Sequence, residues 1–193
     1  MKYYIFNKPY NVLSQFTKEL PQHITLQDYV SVEKNVYPVG RLDKDSEGLL
    51  LLTNDNKFKT KLLDPDEKNE KSYWVQVEGS IDSVAMDKLE RGVEIKLKSG
   101  LYRTKPCKVS ILDSLDVEIR KPPIRERKNI PTQWIEITII EGKNRQIRKM
   151  CAAVGFPCLR LIRFKIKSLT FKDVKPGNYR SLTQLEIQKI LTN

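Results

Sequence analysis

Apolar positions recur along this chain with a period of two in some stretches and three to four in others, and the switches between them mark its elements. Residues 3–6 are continuously apolar and give way to Asn7-Lys8-Pro9-Tyr10, which predicts a first strand ended by a proline that removes a ladder donor. Leu26, Tyr29 and Val30, with Thr25 as cap, predict a short helix over 24–30. Four consecutive leucines at 49–52 form a bounded run too short for a membrane span, and read as a buried strand. Asn54 or Asp55 caps a helix to about residue 63, with Phe58, Leu62 and Leu63 at helical spacing and Asp64-Pro65-Asp66 as its stop. Tyr73, Val75 and Val77 share one face of a strand, and residues 82–91 read as a helix. Residues 93–119 break into short strands.

In the C-terminal half, Ile135, Ile137 and Ile139 alternate against Trp134, Glu136 and Thr138, so the isoleucine face is the one to bury. A helix follows the Gly142 turn and stops at Gly155, with Ile147, Met150, Cys151 and Val154 on one side. Ile162, Phe164 and Ile166 then alternate against Arg163, Lys165 and Lys167, which predicts a strand with one buried and one basic face. A Thr183-x-x-Glu186 capping box opens a last helix to about residue 191. Together these predict an α+β fold, mainly antiparallel sheet in two lobes with flanking helices and a central cleft. The charged stretch 67–71 is the connection, dividing a single domain over 1–193 into lobes of about 1–66 and 67–193.

Charge adds direction to this picture. The 193 residues carry 35 Lys and Arg against 24 Asp and Glu, a formal net charge of +11, which attracts a polyanion and most economically nucleic acid. Residues 120–131 hold five basic residues and one acid between prolines, as a solvated loop or as a phosphate-contacting arm built on Arg125, Arg127 and Lys128. Arg145, Arg148 and Lys149 stand near the start of their helix, where the macrodipole is already positive, so a carboxylate or phosphates are expected beside them. Three cysteines without CxxC spacing read as reduced thiols and predict neither disulfide nor metal. The lone His23 sits in a polar loop, and no apolar signal core opens the chain, so a cytoplasmic protein is expected.

The most specific stretch is Gly40-Arg41-Leu42-Asp43-Lys44-Asp45-Ser46-Glu47-Gly48, a polar loop that places Asp43 at the mouth of the leucine strand. An arginine–aspartate structural pair is one reading of it. A calcium loop is another, with Asp43, Asp45, Glu47 and Gly48 at EF-hand positions one, three, five and six; it fails because position twelve is Asn54 and a strand stands where a helix should. A catalytic acid is the third.

The third reading is where a family resemblance enters. The Gly40 to Leu52 segment closely resembles the active-site motif of the bacterial ribosomal-RNA pseudouridine synthases. Three further blocks resemble them in order and spacing: Phe6-Asn7-Lys8-Pro9-Tyr10, the Lys71, Tyr73, Val75, Val77, Glu78, Gly79 pattern, and Glu141-Gly142-Lys143-Asn144-Arg145-Gln146-Ile147-Arg148-Lys149-Met150. The resemblance implies the pseudouridine synthase fold, no cofactor and no metal. It implies isomerisation of a uridine in large-subunit (23S) ribosomal RNA, as free RNA or in a ribosomal precursor particle. Asp43 matches the aspartate that attacks or deprotonates the sugar, Tyr73 the tyrosine that packs on the base, and Arg148 the basic residue paired with the aspartate. Arg41 matches an arginine that holds the RNA open, and Lys8, Lys143, Asn144 and Arg145 are expected to contact RNA. Lys8 also fits an ordinary strand exit, and Tyr73 a plain core position beside Val75 and Val77. The N-terminal S4 domain of many relatives is expected to be absent, and the protein to be a monomer. Rival functions are a non-catalytic RNA-binding ribosome-assembly factor, for which Asp43 has no use, and a glycosidase pairing Asp43 with Asp45 or Glu47, whose side chains would point apart on an extended loop.

Overall fold

The computed structural model describes every residue except Arg125, Glu126, Lys172 and Asn193. Its strands and helices are β1 (Tyr3–Lys8), β2 (Tyr37–Pro38), β3 (Glu47–Thr53), α1 (Asn56–Leu63), β4 (Lys71–Glu78), α2 (Ser83–Glu90), β5 (Glu94–Leu97), β6 (Gly100–Arg103), β7 (Lys108–Leu112), β8 (Thr132–Ile139), α3 (Gln146–Ala153), β9 (Cys158–Ile166), β10 (Leu169–Thr170), β11 (Tyr179–Ser181) and α4 (Gln184–Thr192). They form two compact units, Met1–Asn69 with Ile162–Asn193, and Glu70–Leu161. The first boundary lies close to the charged connection. The C-terminal segment from Ile162 differs from the sequence expectation by joining the first unit, because β11 pairs with β1 and β9 with β3.

In the first unit, β3 pairs along one side with the whole of β1, from Tyr3↔Thr53 to Lys8↔Gly48. Its other side takes β2 at the C-terminal end and β9 at the N-terminal end, the latter in parallel. Being flanked on both edges and covered on both faces, β3 buries every residue it has, which is why the sequence shows leucines without alternation. Leu49 and Leu51 pack with Ile5, Phe58, Leu62, Ile166 and Ile190, while Leu50 and Leu52 are equally buried outside that cluster. Each such leucine contributes about 1.5–3 kcal/mol by leaving water, so β3 is the stable rod on which the Asp43 loop is mounted. Asp55 caps α1 through Lys57 N and Phe58 N, and Thr183 and Glu186 cap α4 reciprocally.

In the second unit, β8 pairs antiparallel with β4 and with β7, and β4 also borders β9, whose residues 158–161 belong here. Ile135, Ile137 and Ile139 are buried as the alternation predicts. β5 and β6 form a separate two-stranded ladder. Two element expectations are corrected. The 24–30 helix is a single 3-10 turn, Leu26–Asp28, which a Thr25–Asp28 capping box opens and which stops where Tyr29 leaves helical geometry at φ −125°. The strands expected over 93–119 end at Leu112, and residues 113–119 run without regular structure.

Candidate active site

The loop bearing Asp43 is held by backbone contacts on either side of that residue. Ser14 Oγ donates to Leu42 O at 2.8 Å and accepts from Leu42 N at 3.1 Å, so one hydroxyl satisfies both polar groups of a buried residue. On the other side, Lys44 O accepts from Asn11 N at 2.8 Å, and Ser46 N donates to Asp43 O at 3.0 Å. Leu42 is 6 % exposed, Asp43 half-buried and Arg41 exposed, its Nη2 donating to Gln15 Oε1 at 3.3 Å. The loop thus fixes the main chain at 42 and 44 and turns the Asp43 carboxylate between them toward partial exposure. That is a pre-organised carboxylate.

Beneath the loop lies a row of charge that the sequence did not announce. Gly48 pairs with Lys8 on one side and Arg163 on the other. Lys8, expected to contact RNA, is instead wholly buried, its Nζ donating to Val12 O at 2.7 Å, Pro9 O at 3.0 Å and Lys44 O at 3.4 Å. Its three donors go to carbonyls of the segments that frame Asp43, so it braces the loop and has no surface to offer a phosphate. Arg163, expected on a basic solvent face, is 5 % exposed and donates Nε to Leu49 O at 2.9 Å. Strict alternation misassigned it because this half of β9 lies beside β3 and is covered on both faces.

Burial pulls the Lys8 pKa down from 10.5 to about 7, against the opposing pull of Glu47, Asp45 and Asp43, with Arg163 adding to the depression. Between pH 7 and 10.5 the unfolded chain therefore binds a proton that folded Lys8 has lost, so this group makes stability rise with pH across that window. Tyr3, Tyr102 and Cys107, all pushed up to about 12, act with the opposite sign at the alkaline end. Comparing wild type with Lys8→Met cancels them. Urea unfolding from pH 7 to 10 should show wild type gaining on Lys8→Met by an amount on the order of a few kcal/mol. Parallel pH profiles would show that Lys8 is not titrating there.

The other expected site residues lie in the second unit. Tyr73 is on β4 opposite Ile137, 8 % exposed and flanked along its face by fully buried Val75. Arg148 is half-buried in the first turn of α3, its Nη1 donating to Cys158 O at 3.3 Å and reaching Cys158 Sγ at 3.6 Å. The turn before α3 exposes Lys143, Asn144 and Arg145, with Arg145 at φ +51° as the helix cap.

A carboxylate of the chain itself, Glu141, stands at this helix start and bonds to Gln146, the first residue of α3. Glu141 accepts from Tyr102 Oη, Lys105 N and Gln146 Nε2, and Gln146 Oε1 in turn accepts from Lys143 N at 2.9 Å. This network holds the basic turn in shape, and Lys143 Nζ lies 4.9 Å from the Tyr102 ring centroid. In the basic loop, Arg127 pairs with Glu78 at 3.0 Å and Lys128 is exposed, while Arg125 lies outside the described residues. Tyr102 escaped the sequence reading and Glu141 entered it only as part of the motif block, since neither spacing nor charge links the two before β6 is placed.

No group of three or more His, Cys, Asp and Glu side chains is arranged to hold a metal among the described residues, and no described helix is long and apolar enough to cross a membrane. None of the three cysteines forms a disulfide, and Cys151 is buried.

Residues 2–153 match the family described as RNA pseudouridylate synthase. The chain is 50 % identical over 181 residues to "Ribosomal large subunit pseudouridine synthase E" of Vibrio parahaemolyticus, covering 94 % of this chain and 74 % of that protein. It is 44 % identical over 178 residues to the protein of the same name from Xanthomonas campestris pv. campestris, covering 91 % and 92 %. Among solved structures, a crystal structure of a pseudouridylate synthase superposes with a TM-score of 0.80 at 26 % identity, covering 98 % of this chain and 73 % of that one.

Proposed function

The chain belongs to the RNA pseudouridine synthase family, and from that premise we propose that it isomerises a uridine of large-subunit ribosomal RNA to pseudouridine, with Asp43 as the initiating carboxylate. The enzyme class and an RNA substrate follow from the family. The names of its relatives support large-subunit RNA as the particular substrate. In the reaction the N-glycosidic bond to the sugar breaks, the uracil rotates, a bond forms from its carbon five to the sugar, and the proton on carbon five is lost while the former glycosidic nitrogen gains one. Nothing is oxidised or reduced, so carboxylate, aromatic and cationic side chains suffice.

The observation that carries the proposal is the clamp on Leu42 and Lys44 around a half-buried Asp43. An ionised carboxylate held in one place fits attack on the sugar or removal of its proton, and either needs it charged. Tyr73 is proposed to pack on the uracil once it has left the helical stack, and Arg148 to pair with the Asp43 carboxylate. Arg41, exposed beside Asp43, is proposed to hold the RNA open; Lys143, Asn144 and Arg145 grip flanking phosphates, and Arg125, Arg127 and Lys128 extend that grip. We propose a monomer acting in the cytoplasm, on free RNA or on a ribosomal precursor particle.

A pseudouridine map of ribosomal RNA from cells lacking this protein tests the substrate. A large-subunit position is expected to lose its pseudouridine and to regain it on complementation with wild type. An unchanged large-subunit map with a site lost elsewhere would transfer the activity to another RNA.

A further inference from the structure

The second unit holds a hollow of about 460 Å³, which of the residues assigned above includes Arg127 at its rim. Its floor is half-buried Trp134 of β8 with Arg160 of β9, whose guanidinium lies 5.9 Å from the indole centroid and donates Nη1 to Glu118 O at 2.9 Å. Arg160 is only 7 % exposed, so a cation has been carried to the bottom of a recess beside an aromatic ring. At one edge Gln76 Nε2 donates to Thr132 Oγ1 at 3.0 Å, placing an amide and a hydroxyl together. Arg120 and Arg127 stand at the rim, where Arg120 Nε and Nη2 bond the carbonyls of Pro122 and Pro123 and so shape the wall. Ile119 lines the same hollow yet is 86 % exposed, an unusual placement for isoleucine. Among the described residues three arginines and no acid line the site, with Glu78 paired to Arg127 behind the rim.

A floor with an aromatic ring, polar groups on one edge and an excess of positive charge around them is complementary to one chemical class: a nucleobase carrying a phosphate. Unstacked bases in single-stranded RNA are recognised by aromatic and guanidinium planes, whereas bases in a duplex are not available to a recess. The volume falls within the range of small-molecule pockets. We infer that this hollow takes an unstacked nucleotide from a single-stranded segment of the substrate RNA, a second contact that adds selection beyond the target uridine. The inference rests on the RNA-modifying function proposed above.

Trp74 and Trp134 are the two tryptophans of the chain, so Trp74→Phe leaves Trp134 as the sole indole reporter. Titration with a single-stranded oligouridylate should quench its fluorescence, and a duplex of equal length should quench it far less. Ile119 is exposed enough to be replaced without loss of core, which allows a test by charge sign. Ile119→Glu should weaken binding of the single strand at least tenfold, and Ile119→Lys should leave it equal or tighter. Pseudouridine formation at subsaturating ribosomal RNA should fall in parallel for Ile119→Glu alone. Equal quenching by duplex, no quenching, or equal affinities of the Glu and Lys variants would overturn the inference. Failure of wild type to form pseudouridine in any RNA would instead strike at the function itself, so the two failures are separable.

Discussion

Asp43→Ala is expected to lower pseudouridine formation by roughly 10⁴-fold or more, a loss of at least about 5 kcal/mol of transition-state stabilisation. The size follows from chemistry with no substitute in place: the reaction needs a carboxylate at the sugar, and neighbouring Asp45 and Glu47 lie elsewhere on the loop, with Glu47 buried at 8 % exposure. The loop is tied down through Leu42 and Lys44 by Ser14, Asn11 and Lys8, none of which uses the Asp43 carboxylate in those bonds. RNA affinity should hold or rise slightly, because a negative charge is removed from a surface that meets phosphates. Asp43→Asn, nearly isosteric, should be as inactive as Ala. Single-turnover assays with saturating enzyme separate these effects, and turnover within tenfold of wild type for both variants would remove Asp43 from the chemistry.

The largest stability effect is expected at Gly48. Its φ is +99°, a backbone conformation that costs most residues on the order of 1–3 kcal/mol. A Cβ added there would stand 2.3 Å from Arg163 O, a main-chain atom of the paired strand that has no rotamer to yield. Gly48→Ala must therefore push β9 from β3 or break their parallel ladder, and with it shift Arg163 and the Lys8 row under the active loop. A loss on the order of 3–5 kcal/mol is expected, readable as a shift in the urea midpoint. Gly142→Ala is the control, since no atom lies within 4 Å of the Cβ built there and its φ is not in the left-handed range. If Gly48→Ala unfolds at the same urea concentration as that control, the close approach of the two strands is not a constraint.

Most strands and helices were legible because their apolar positions repeat at the periods that each backbone imposes. The isoleucine alternation of β8 and the apolar spacing of α1 and α4 placed those elements, and the Thr183–Glu186 box marked where α4 begins. The reading failed at Leu26–Asp28, where a capping box opens the element as it does α4 but the backbone leaves helical geometry at Tyr29, φ −125°, after one 3-10 turn. Ser14 carried no signal at all. It is a serine in a polar stretch until the fold brings Leu42 against it, and then its hydroxyl holds the main chain next to Asp43.

By itself the sequence determined the α+β character, the family, the leucine strand and the loop that carries Asp43, since all of these are written in contiguous residues whose spacing or motif is fixed by short-range geometry. Only the tertiary structure decided what surrounds that loop. Lys8, Gly48 and Arg163 are far apart in the chain and become a single row when β1, β3 and β9 pair. Burial there converts two basic side chains, one expected at RNA and the other on a basic strand face, into internal braces that donate to main-chain carbonyls. The same holds for Trp134, which reads as a strand residue, and Arg160, which the sequence did not single out, until β8 and β9 on either side of β4 bring ring and guanidinium together at the floor of a recess. Sequence fixes which groups are present and their local geometry; long-range pairing fixes which of them lose their water, and desolvation is what turns an ordinary charge into a brace or a binding site.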